Sequence, residues 1–103
     1  MTDTLVTRKD AQAVVRPAGD VVAASVPELR TAMRGAIKEG VQELVVDLAN
    51  VQMVDSTGLG LLIAAHNSLR KAGGRLSVIH ASEEIVDLFK TMRIHQHFSV
   101  SGE

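Results

Sequence analysis

The chain has no cysteine, no tryptophan and no tyrosine, and its aromatic residues are two phenylalanines, Phe89 and Phe98. Without cysteine there are no disulfides, thiolate metal sites or cysteine nucleophiles, which suits a reducing compartment. With so few aromatics, the stacking platforms used for single-stranded nucleic acid are out of reach. An excess of one charge is also missing. Eleven Lys and Arg stand against twelve Asp and Glu, for a net charge of −1. No overall field then draws in nucleic acid or an anionic membrane. The longest apolar stretch, Leu59 to Ala65 with Gly60 inside it, is far too short to cross a bilayer. The opening Met1-Thr2-Asp3-Thr4 lacks the basic and then apolar segments of a cleaved signal. No Pro/Gly/Ser linker divides the chain. The expectation is a soluble, cytoplasmic protein, one domain over residues 1–103, with 46% apolar residues to build an aliphatic core.

What is present is a regular alternation of patterns. Residues 5–8 and 12–17 read as two short strands, the second stopped by Pro17-Ala18-Gly19-Asp20, and they are close enough to pair as a hairpin. A helix starts near Ser25, where Ser25 and Glu28 have capping-box spacing and Pro27 suits a first turn. Leu29, Met33 and Ile37 form its apolar stripe, Arg30, Arg34 and Lys38 line another face, and Gly40 stops it. Glu43 to Leu48 is a continuous apolar run of the kind found in buried parallel strands. A second helix covers Leu59 to Lys71 and ends at Gly73-Gly74, and a strand covers Leu76 to Ile79. Ser82 caps a third helix with Glu83 and Glu84 in its first turn and a stripe of Ile85, Leu88, Phe89 and Met92. Phe98 and Val100 mark a last edge strand. The order β-β-α-β-α-β-α-β predicts an α/β fold with a mixed, mostly parallel sheet flanked by helices.

The densest chemistry lies in Asp55-Ser56-Thr57-Gly58-Leu59-Gly60, at a strand-to-helix junction. Asp55 or Ser56 can cap the helix, and backbone N–H groups there can serve a phosphate. Ser56 reads equally as a phospho-acceptor, since phosphoserine adds about −1.5 to −2 charges and three acceptor oxygens. Gly58 and Gly60 sit where glycine costs roughly 1 kcal/mol relative to alanine. Either another group approaches the backbone there, or the helix packs tightly on the sheet. Leu59, Leu61, Leu62 and Ile63 make the second helix apolar in nearly every direction. It is therefore either buried between its neighbours or offers an apolar face to a partner beside Ser56.

Enzymatic readings find less support. Val54 stands where a nucleophile elbow has its first glycine, and Ser56 has no evident base. His95 and His97 form an H-x-H pair without an obvious third metal ligand, and His66 falls on the apolar stripe of the second helix. Asp47 ends a strand as a receiver's phospho-acceptor does, but Asp20 is a lone acid and His80-Ala81 stands where a receiver has lysine.

Taken with the order of elements, these motifs resemble the STAS family, and within it the single-domain anti-sigma-factor antagonists. The resemblance covers roughly residues 4–100. It rests on Gly19-Asp20 followed by Pro27-Glu28-Leu29, the strand Leu44–Leu48, the run Val51 to Gly60, and Lys71-Ala72-Gly73-Gly74 before an apolar strand. It implies a bacterial, non-enzymatic transcription regulator that works by partner switching and needs no cofactor or metal. The unphosphorylated form would bind a Bergerat-fold serine kinase that doubles as an anti-sigma factor. The kinase would phosphorylate Ser56, and a metal-dependent serine phosphatase would reset it. The implied contact residues are Asp20, Asp55, Thr57, Gly58, Leu59, Gly60 and Leu61. No contact with nucleic acid and no membrane insertion are implied. Val22 departs from the pattern, since relatives often carry an acid at that position. The alternative within the family is an unphosphorylated accessory subunit, for example of a lipid transporter.

Overall fold

A computed structural model describes residues 4–103. The elements are β1 (Leu5–Lys9), β2 (Gln12–Arg16), α1 (Val26–Lys38), β3 (Glu43–Asp47), α2 (Ser56–Lys71), β4 (Arg75–Ile79), α3 (Glu83–Thr91), a 3-10 turn (Ile94–Gln96) and β5 (Ser99–Val100). Strand order in the five-stranded sheet is the order of the chain, β1-β2-β3-β4-β5. The β1–β2 hairpin is antiparallel and every later pairing is parallel, so the sheet is mixed as the alternation of elements predicts.

The helices gather on one face. Ala13 and Val15 of β2, Leu44 and Val46 of β3, and Leu76 and Val78 of β4 point into a single core with Leu29, Met33, Leu62, Leu69, Ile85 and Phe89. Right-handed crossovers to successive neighbouring strands place their helices on the same side, which accounts for the single layer. The opposite face carries charge. Gln12, Glu43 and Arg75 share one cross-strand row, and the Glu43 carboxylate accepts from both neighbours at 2.6 and 3.0 Å. Two rows on, buried Asp47 accepts from Arg16 at 2.8 and 3.0 Å, from Nδ1 of His80 at 2.9 Å and from the N–H of Ala49 at 3.0 Å. Both Asp47 oxygens are thus committed to structure, which removes the receiver reading. Burial alone would raise the Asp47 pKa, but the bonds from His80, Ala49 and Arg16 outweigh it and hold the carboxyl below its ordinary range.

Local signals give most helix ends. Gly40 and Gly73 stop α1 and α2 with φ of +88° and +81°, the left-handed geometry that glycine adopts without strain. The Ser82 hydroxyl accepts from the N–H of Ile85 at 3.2 Å and caps α3 as expected. The capping box at Ser25 does not form. The Ser25 hydroxyl turns back to the carbonyls of Asp20 and Val22, at 2.8 and 3.0 Å. Glu28 instead accepts from the Thr4 hydroxyl at 3.0 Å. At the end of α3, the helix stops at Thr91 and Met92 is 56% exposed, so Met92 leaves the predicted stripe.

His66 faces the core from α2, against Phe98 and His97 at centroid distances of 5.6 and 6.2 Å. Its Nδ1 is buried and unbonded among the described residues. Burial first, and then the charges of Arg70 and His97, push its pKa below the ordinary 6.5. The fold therefore holds neutral imidazole. A histidine with a depressed pKa contributes stability that is complete above its unfolded pKa and lost as pH falls through the folded value. Thermal unfolding followed from about pH 7.5 to about pH 5.5 should show a falling midpoint. His66→Leu removes the titrating group and should flatten that slope; an unchanged slope in the variant would assign the acid sensitivity elsewhere.

Candidate functional site

The site is built where two crossover loops are fastened together at the carboxyl ends of β2 and β3. Val21 in the first loop and Val54 in the second form an isolated parallel bridge. The N–H of Val21 donates to the carbonyl of Met53 at 3.0 Å, and the N–H of Asp55 donates to the carbonyl of Val21 at 3.2 Å. Two carboxylates complete the clasp. Asp20 Oδ1 accepts from the N–H groups of Gln52 and Met53, at 3.0 and 3.1 Å. Asp55 reaches the other way and accepts from the N–H of Ala23 at 3.0 Å.

Asp55 is also the N-cap of α2. Its backbone is extended there, and its Oδ1 accepts from the N–H of Gly58 at 2.8 Å. That bond is the main cause of a pKa held below the ordinary carboxylate value; desolvation opposes it, and the Ala23 and Thr57 N–H groups add to it. Asp55 is therefore ionised at neutral pH. Of the two expected caps, Asp55 is the one that forms, and it takes the Gly58 N–H. Ser56 follows as the first residue of the helix, and both Ser56 and Thr57 are exposed.

The two glycines of the motif have different roles. A Cβ on Gly58 would lie 2.3 Å from the Val21 carbonyl oxygen and 2.9 Å from its side chain, whereas a Cβ on Gly60 would meet nothing within 4 Å. Gly58 is the point where α2 presses on the first loop, and Gly60 is open. The apolar side chains of α2 are also accounted for. Leu59 and Leu61 are 7% and 5% exposed and belong to the core. Their expected place on an exposed apolar face is thus corrected: this end of α2 exposes Ser56, Thr57 and Gly60, while Gly58, Leu59 and Leu61 are buried beneath. The exposed apolar group beside the site is Met53, at 57%. Its exposure has no local sequence signal, because it follows from the loop being pulled down by Asp20. Val22 is partly buried, and its N–H donates to the Ser25 hydroxyl at 3.1 Å.

A helical layer on one face of a mixed sheet, with an exposed serine at the start of α2, is the architecture of a STAS domain. The chain belongs to the STAS domain family, whose model matches residues 4–102. Among characterised relatives it is 36% identical, over 75 residues, to the anti-sigma-B factor antagonist of Staphylococcus epidermidis, covering 73% of this chain and 69% of that protein. The crystal structure of an anti-sigma factor antagonist from Mycobacterium paratuberculosis superposes with a TM-score of 0.86 at 25% identity, over 97% of this chain and 85% of that one. The Bacillus cell fate determinant SpoIIAA in its phosphorylated form shares the fold, with a TM-score of 0.74 at 17% identity over 94% and 89% of the two chains. No helix among the described residues is long and apolar enough to cross a membrane.

The contrast between the glycines is directly measurable. Gly58→Ala should destabilise the fold by about 1–3 kcal/mol or more, because backbone and side chain of Val21 must both give way. Gly60→Ala should raise stability by about 0.5–1 kcal/mol, through the helix preference for alanine. Urea unfolding of the two variants tests this, and equal effects of the same sign would refute the assignment.

Proposed function

We propose that this chain is an anti-sigma-factor antagonist whose binding is switched off by phosphorylation of Ser56. In its unphosphorylated form it binds a Bergerat-fold serine kinase that is also an anti-sigma factor, and so frees the kinase's other client. The observation that carries the reading is an exposed hydroxyl at the first position of α2, beside a carboxylate fixed in its charged form. The Ser56 oxygen attacks the γ-phosphorus of ATP, the bond to the bridging oxygen of ADP breaks, and a base on the kinase takes the hydroxyl proton. A metal-dependent serine phosphatase hydrolyses the ester and restores the binding form. The antagonist contributes an acceptor and a surface and catalyses nothing itself, in a cytoplasmic setting. An accessory-subunit role needs no accessible hydroxyl at this position, so the exposed Ser56 favours the switch.

Phosphate acts here as charge. It adds about −1.5 to −2 beside Asp55, and docking would bring both into an interface that excludes water. A loss of ~3 kcal/mol weakens binding more than a hundredfold. The clasped loops leave the backbone little freedom to respond, so release follows from repulsion and bulk at the contact surface.

With a cognate kinase and ATP, Ser56 should be the acceptor. Ser56→Ala should bind the kinase permanently. Ser56→Asp should weaken binding in the same direction as phosphate but less, having one charge in place of nearly two. Titration calorimetry and amide chemical shifts on the four forms provide the check. A full equivalent of phosphate on Thr57 in Ser56→Ala, tighter binding by the phosphoprotein, or shifts spread across the sheet would each overturn the mechanism.

A further inference from the structure

A second surface lies beside the site and is not used by it. Between α1 and α2 runs a groove of about 550 Å³ lined by Thr31, Arg34, Gly35, Ile37, Lys38 and Ser68. It continues toward Arg30 and Ala64, where the buried Met33 and Ala65 form its floor. One wall is a row of cations. Arg30, Arg34 and Lys38 recur every fourth residue, one helical turn or about 6 Å apart. None makes an ion pair with the described residues, whose pairs are Arg8–Glu39, Arg16–Asp47, Arg75–Glu43 and His80–Asp47. The other wall is the exposed side of α2, where Ala64 and Ser68 follow one another at the same spacing.

The wall also contains a residue that the fold does not require. Gly35 lies inside α1, where glycine weakens a helix. A Cβ there would meet nothing within 4 Å. Its absence lowers the rim of the groove and lets another backbone approach.

We infer that the groove between α1 and α2 docks an acidic amphipathic helix of the protein partner, its carboxylates every fourth residue against Arg30, Arg34 and Lys38 and its apolar side on Ile37. The inference rests on the partner-switching reading and extends its contact surface along α2, away from Ser56. Charge favours an acidic occupant, because the row is uncompensated in a chain whose net charge is −1. Shape favours a protein. A membrane binds through protruding large apolar side chains, and here the apolar atoms are recessed behind Gly35 and Ala64. A duplex calls for phosphate contacts spread over a broader basic surface than a single row of three.

The probe is a synthetic helical peptide with glutamates at every fourth position flanked by leucines, titrated into isotopically labelled protein. Amide shifts should centre on Thr31, Gly35 and Ser68, and affinity should fall with added salt. Arg34→Glu combined with Lys38→Glu, both at exposed positions, should weaken binding about tenfold or more while leaving the melting temperature in place. Gly35→Leu should also weaken it by filling the groove without changing charge. Affinity within about twofold of wild type in both variants, or shifts centred outside the groove, would sink the proposal. So would tighter binding to phosphatidylglycerol vesicles or to a DNA duplex than to the peptide. With the kinase, the double charge reversal should raise KM for the antagonist about tenfold and keep the phosphate on Ser56. An unchanged KM overturns the groove and leaves the switch standing. A kinase that never modifies Ser56 in the wild type overturns the switch, and the peptide titration still decides the groove.

Discussion

The structure depends on the clasp between the β2–α1 and β3–α2 loops. Loops ordinarily sit on a surface as mobile connections with hydrated backbones. Here backbone donors of each loop are taken by the other, through Asp20 in one direction and Asp55 in the other. The Val21–Val54 bridge and the approach of Gly58 to the Val21 carbonyl close the contact. The position of Ser56 and the start of α2 are set beside that fastening. Asp55 has a double part in it. The same carboxylate that caps α2 ties down Ala23, so the helix start and the neighbouring loop are set by one group.

On the proposed reading, the clasp would let a small modification at Ser56 act without a conformational change. A phosphate on Ser56 would stand next to a carboxylate that is already ionised and cannot turn away, since both of its oxygens are engaged. Repulsion is built in before any partner arrives. The energy of the switch then sits at the surface, while the core beneath is undisturbed. Leu59 and Leu61 serve that arrangement from inside by anchoring the helix.

Much of this was legible in the sequence, and the failures have particular causes. Asp55 before two glycines, Ser82 before two glutamates, and glycines after apolar stripes are local signals, and local geometry honoured them. Ser25 and Glu28 had the right spacing for a capping box, yet other partners won: the Asp20 and Val22 carbonyls of the preceding turn for one, and the distant Thr4 for the other. The burial of Leu61 depends on α1 lying beside α2, which no window along α2 can reveal. Gly58 and Gly60 look alike in sequence, and only the position of the Val21 carbonyl separates them. The charged rows of the bare sheet face were hidden for the same reason, because Arg16, Asp47 and His80 meet through register alone.

The strand order, identical to the order of the chain, bears on how the protein is made. Each strand after the second adds to the edge left by the one before it, and no strand must be inserted between others already paired. The sheet can therefore grow in the direction of synthesis, with each crossover helix covering its own strip of the growing core. Each parallel pairing nevertheless joins residues far apart in sequence, Gln12 with Glu43 and Glu43 with Arg75, and such non-local contacts slow folding. Until residues 99–100 arrive, the edge of β4 is unpaired. The clasp by contrast draws only on residues 20–55, all of which precede β4 and β5 in the chain.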